Sequence, residues 1–102
     1  MKIPASFKLM GHTVTVLLIP QIKWKKADCI GWFNPKDMTI GILKRPGTVP
    51  EQVFAHELVH AITYVMGHAL YEDEEFTDTF SGLLHQVATT AKPRPPRRSR
   101  KG

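Results

Sequence analysis

The chain has a single cysteine, Cys29, in 102 residues. One thiol excludes an intramolecular disulfide and any cysteine-built zinc cluster, and a reducing compartment, the cytoplasm, is the expected location. Long apolar runs are also missing. The longest outside the helical patterns, Val14 to Ile19, is interrupted by Thr15 and closed by Pro20, against the roughly 20 residues that a membrane-spanning helix needs. No membrane partner is expected. At the start, Ile3-Pro4 is followed by polar Ser6 and Lys8, without the apolar core of a secretory leader. A body-wide basic face is absent too. Six of the fourteen basic residues (Lys92, Arg94, Arg97, Arg98, Arg100 and Lys101) follow Ala91, which leaves eight against nine acidic groups in residues 1–91. The formal charge of +5 therefore belongs to a tail, and a fold-wide nucleic-acid surface is not supported.

What remains suffices for one domain. The 42% apolar content of the chain lies entirely within residues 1–91, which can close a single core. Residues 92–102 carry three prolines and no aromatics, have nothing to bury, and are expected to be disordered. The segment Ser6 to Ile19, rich in β-branched residues around Gly11-His12, predicts a first hairpin. Gln21 to Ala27, with Lys23, Lys25 and Lys26 around Trp24, reads as a wet connection whose Trp packs inward. Cys29 to Phe33 and Met38 to Ile42 flank Asn34-Pro35-Lys36-Asp37, a turn sequence that predicts a second hairpin.

Helical signals then take over. Lys44-Arg45-Pro46-Gly47 is a breaker, and Thr48-Val49-Pro50-Glu51 has the form of a capping box with proline in the first turn. Val53, Phe54, Leu58, Ala61, Ile62 and Val65 recur at helical spacing up to Gly67, a residue suited to a left-handed C-cap. A helix over about 49–66 is predicted. A short link, His68 to Tyr71, leads to an acidic helix start and to Phe76, Phe80, Leu83, Leu84 and Val87 at helical spacing, a second helix over about 73–90 whose Phe76/Phe80 stripe should face the first. The expected class is α+β: a small antiparallel sheet of two hairpins packed on two helices.

The chemistry sits at His56-Glu57-Leu58-Val59-His60, an H-E-x-x-H motif. Inside a helix the two imidazoles lie one turn apart on one face and reach a single cation, with zinc the expected metal. Glu57, one step round, is placed to act as general base on the water that such a metal activates. The bland alternative is two hydrogen-bonded histidines on an amphipathic helix. Against it stand a capped helix and apolar Ala55, Leu58 and Val59 around the motif. A catalytic zinc usually has three protein ligands and an open position. Candidates for the third are His68, Glu72, Asp73, Glu74, Glu75, Asp78 and His85.

Glu74-Glu75-Phe76-Thr77-Asp78 resembles the E-x-x-x-D helix of gluzincins, the thermolysin-like metallopeptidases. That resemblance implies Glu74 as third ligand and Asp78 as the acid that orients His56. The chain is also similar, over roughly residues 5–91, to short H-E-x-x-H proteins of phages and prophages akin to ImmA/IrrE-type peptidases. The likeness runs from Phe7-Lys8-Leu9-Met10-Gly11 through the motif helix to Asp73-Glu74-Glu75-Phe76-Thr77-Asp78 and Leu83-Leu84-His85-Gln86. It implies a minimal zincin-like zinc peptidase in a host cytoplasm. Geometry alone leaves the third ligand open. Glu74 and Asp78 share one face of the second helix, but in a plain antiparallel hairpin His60 is about 10 Å before the bend, a level that suits Asp78 better. Oblique crossing, or a link that climbs before turning, restores Glu74; Glu75 and Glu72 are the other options.

His68 or Tyr71 is placed to steady an oxyanion across the cleft. His85 is expected to pack near the core end or make a polar contact, His12 to lie in a turn, Tyr64 in the core or at the rim, and Trp24, Trp32 and Phe33 in the core. The expected substrate is a peptide or protein, received along the Met38 to Ile42 strand by β-augmentation, on a monomer. Two rival readings carry weight: a catalytically silent, zinc-stabilised adaptor, and a nucleic-acid-associated protein whose residues 92–102 contact phosphates weakly and without sequence choice.

Overall fold

The structure, a computed structural model, describes residues 2–96. It is α+β, with strands β1 (Ser6–Leu9), β2 (His12–Ile19), β3 (Gly31–Asn34) and β4 (Thr39–Leu43), then helices α1 (Val49–Met66) and α2 (Glu74–Thr90). Single 3₁₀ turns occupy Gln21–Lys23 and Ala69–Glu72. Of the tail, residues 92–96 form neither helix nor strand and are exposed, and the rest of the segment expected to be disordered, 97–102, lies outside the described residues.

Both hairpins form, but the sheet is mixed rather than antiparallel. Its order is β1-β2-β4-β3. The pairs β1/β2 and β3/β4 are antiparallel, whereas β2 and β4 run parallel, Val16 beside Ile40 and Leu18 beside Ile42. Composition explains the departure. Ile40 to Leu43 are buried throughout, so β4 takes an interior position with a neighbour on each side, and half-buried β3 moves to the edge. The connection over residues 20–30 is long enough to carry the chain past β4's place. Met38 to Ile42 consequently offers no free edge for an incoming peptide; among the described residues the edge beside the motif helix is β3.

Local chemistry shifts the first turn. Leu9 pairs with His12, so the turn residues are Met10 and Gly11, one step before the expected place, and both have positive φ (46° and 86°) as a type I′ hairpin demands. In the second turn the Lys36 amide donates to Asn34 Oδ1, and Met38 (φ 53°) closes the loop before β4 begins. Strand alternation then sorts the aromatics. Phe33 packs on the helix side with Tyr64 and Tyr71, while Trp32 lies on the opposite sheet face, across Gly41, where a Cβ would strike its ring. Trp32 is therefore a cover on the outer face and not part of the core. Half-buried Trp24 donates its indole N–H to the Lys26 and Cys29 carbonyls and so braces the loop leading into β3.

The core joins Val14, Val16, Ile40 and Ile42 of the sheet to Phe54 and Ala61 of α1, with Phe7 edge-on to Phe54 at 6.0 Å. α1 is the middle layer. It packs on β3 and β4 on one side and on α2 on the other, whereas α2 packs on α1 and the Ala69–Glu72 turn. Gly67 is the left-handed C-cap of α1 (φ 66°) as its position predicts. The capping box at the other end does not form. Thr48 has helical angles, so its hydroxyl caps nothing, and its carbonyl instead receives the Glu51 and Gln52 amides. Asp73 does cap, accepting from the Phe76 amide at 2.9 Å.

One expectation about α2 fails. The buried residues of α2 are small Thr77 (0% exposed) and Ser81 (5%); of the apolar positions Phe76 and Leu84 are half-buried, whereas Phe80, Leu83 and Val87 are 46–62% exposed. Glu74, Asp78 and His85 share the inward face, three or four residues from the buried pair. Placing the acids there turns the apolar stripe outward.

Candidate metal centre

The first requirement of the motif is one helical face, and α1 supplies it: the His56 and His60 rings are 4.9 Å apart between centroids. The second is a third ligand at their level. After Gly67 reverses the chain, the Ala69–Glu72 turn climbs back beside α1, far enough for the Tyr71 carbonyl to reach His60. α2 therefore begins level with the histidines. Its first residue, Glu74, spans both, with Oε1 3.3 Å from His56 Nε2 and Oε2 3.2 Å from His60 Nε2. The level mismatch of a plain hairpin is thus removed by the climbing link. His56, His60 and Glu74 each offer a ligand atom within 4.8 Å of the others, close enough to hold a metal ion.

The remaining ring nitrogens are anchored. His56 Nδ1 lies 2.9 Å from Asp78 Oδ1, and His60 Nδ1 lies 3.2 Å from the Tyr71 carbonyl oxygen. A carboxylate and a carbonyl only accept, so both Nδ1 atoms must carry the proton and donate. Each Nε2 then faces a Glu74 oxygen, and without a positive charge between them these are acceptor against acceptor. A metal ion at that point resolves the conflict, as a proton on Nε2 also would. Two imidazoles and one carboxylate are also the donor set of open-sided zinc sites.

Glu57 is 8% exposed and lines the same cleft. Its burial first, and the negative Glu74 second, push its carboxyl from 4.5 up to about 7. Gly31 lets β3 approach α1 beside it: a Cβ there would strike the Val53 side chain, while Glu57 Oε2 would stand at ordinary contact distance, 3.4 Å. A glycine inside a strand is the signal for such close approach. Tyr71 edges against His60 at 5.8 Å, and burial, reinforced by the nearby Tyr64 and carboxylates, raises its phenol above 10.0, so it stays a donor. The cleft, about 1130 Å³, runs between edge strand β3, α1 and α2.

Of the other sequence candidates, His68 is turned to its own backbone, where Nδ1 accepts from the Leu70 amide, so it does not reach over the cleft. Glu72, Asp73 and Glu75 do not join the ligand group. At the far end of the cleft His85 Nε2 is buried 3.5 Å from Glu51 Oε1 without a hydrogen-bond partner among the described residues, so the polar contact expected of it is not made as a hydrogen bond. Tyr64 sits at the rim, 42% exposed, edge-on to Phe33 and Tyr71. Sequence reasoning missed two contributors, the Tyr71 carbonyl and the β3 edge. A backbone carbonyl carries no residue-type signal, whereas Gly31 offered one. Compared with known proteins, the chain matches no family model, no curated protein and no solved structure.

Proposed function

We propose that the protein is a zinc-dependent peptidase of the gluzincin kind, with His56, His60 and Glu74 as ligands and Glu57 as general base. A single observation carries this reading: both Nε2 atoms and both Glu74 oxygens converge on one point while both Nδ1 atoms are tied off. Zinc held there supplies the Lewis acidity that polarises an amide carbonyl and acidifies water. Glu57 accepts the proton of the attacking water and returns it to the leaving amide nitrogen. The Tyr71 hydroxyl donates to the oxygen on which charge develops. An extended peptide pairs with the open edge of β3, beside Gly31, in place of the strand favoured by sequence. The single thiol suits a reducing compartment such as the cytoplasm.

Glu57→Gln tests the reading. The variant should retain stoichiometric zinc by elemental analysis yet lose cleavage of a casein or peptide library by about 10³-fold or more. Cleavage at the wild-type rate would reject Glu57 as base. A wild-type protein that holds zinc and cleaves nothing would leave the silent adaptor.

A further inference from the structure

We infer that the outward face of α2 is a self-association surface, and that its occupant is the α2 helix of a second copy of this chain, packed antiparallel. The inference is independent of the peptidase reading, because Glu74 and Asp78 lie on the opposite, cleft side of the helix.

The spacing comes first. Phe76, Phe80, Leu83 and Val87 follow one another at four, three and four residues, the spacing of an a/d seam, with half-buried Leu84 alongside. Phe80, Leu83 and Val87 are 46%, 57% and 62% exposed, and the Phe76 and Phe80 rings stack at 5.4 Å and 11° into a flat platform. Because α2 is already folded on α1, docking another helix on it carries no helix-nucleation cost.

Two features select an antiparallel copy. The seam and the helix Glu74–Thr90 share nearly the same midpoint, so a two-fold axis crossing there sets Phe76 beside the second copy's Val87 and Phe80 beside the second copy's Leu83, large against small. Charge agrees with it. Glu72, Asp73 and Glu75 gather at the start of α2, the helix itself has no Lys or Arg, and exposed Lys92 and Arg94 follow its end, with four more cations later in the sequence. Antiparallel docking brings each acidic start to the other copy's basic end and opposes the helix dipoles, whereas parallel docking sets acid against acid. One helix presents a footprint of about 25 Å by 10–12 Å, so the interface falls below about 1,200 Å² and the dimer is weak and concentration-dependent.

The full chain should be followed by sedimentation equilibrium from about 10 µM to about 1 mM in low salt. The mass is expected to climb from 11.5 kDa toward twice that value. Leu83→Glu should raise the dissociation constant about tenfold or more, with circular dichroism and zinc uptake unchanged. Reversing Lys92 and Arg94 to Glu, or raising salt to about 0.5 M, should weaken the dimer several-fold. A chain that stays at 11.5 kDa at the highest concentration would overturn the inference, as would a dimer indifferent to Leu83→Glu. Indifference to both charge reversal and salt would overturn the antiparallel arrangement. Flotation with phosphatidylcholine vesicles and no self-association would assign the seam to lipid instead.

Discussion

Asp78 and the Tyr71 carbonyl do the same work for the two imidazoles, each holding one Nδ1 proton so that Nε2 faces the ligand point. Partners of this kind fix tautomer and ring orientation, and losing one typically costs 10–100-fold in metal affinity. Asp78→Ala should therefore weaken zinc binding by about 10–100-fold in a chelator competition. Asp78→Asn, which keeps an accepting oxygen, should recover most of it. Equal affinity in wild type and Asp78→Ala would remove Asp78 from the site. At this scale the sequence was informative where chemistry resides in side-chain type. The motif histidines and Glu57 could be read from a helical period, whereas Glu74 and Asp78 received their separate roles only from the resemblance of Glu74-Glu75-Phe76-Thr77-Asp78 to the E-x-x-x-D helix. The carbonyl of Tyr71 could not, because every residue has one and only the path of the chain aims it.

Secondary elements owe their boundaries to local chemistry, with two exceptions. Thr48 and Glu51 have the residue types of a capping box, yet Thr48 takes helical angles and Glu51 lies beside His85, so no reciprocal cap forms. The first hairpin turns at Met10-Gly11, and Met10 adopts a left-handed conformation (φ 46°) that side chains of its kind resist, with 83% of its surface in water. With so little of it covered, packing offsets little of the strain. Met10→Asn creates the Asn-Gly pair that type I′ turns prefer and should stabilise the fold by about 0.5–1 kcal/mol, or about 3–6 °C in a thermal melt. A lowered midpoint would contradict the turn assignment. α2 carries the other lesson of this scale. Its apolar period was plain, but periodicity does not say which face a neighbour will cover, and here Thr77 and Ser81 face α1 while Phe80, Leu83 and Val87 face out.

The molecule as a whole is three layers, sheet, α1 and α2, and the outer helix is held chiefly by the middle one. Small buried Thr77 and Ser81 give that contact little apolar area. A zinc ion shared by His56, His60 and Glu74 would cross-link α1 to α2 beside this small-residue contact, so metal and stability should be strongly linked. At about 1,000 times the dissociation constant, zinc adds about 4 kcal/mol, which moves the melting midpoint by on the order of 10 °C or more. Chelation should reverse the shift and speed amide exchange in α2 before α1. A midpoint indifferent to zinc and chelator would sink the metal centre.

The sequence by itself determined the α+β class, the two helices with their shared-face histidines, the two hairpins and the basic character of the end of the chain. Each of these depends on residues within about one turn or one strand of each other, where period and turn chemistry act directly. Tertiary structure alone decided the order of the strands, the edge offered to an incoming chain, the face of α2 that meets α1, and the level at which Glu74 meets the histidines. Those depend on contacts between segments far apart in the chain. They were settled by competition for burial: β4, with four of its five residues buried, took an interior place in the sheet, and the climb at Ala69–Glu72 raised Glu74 to its place.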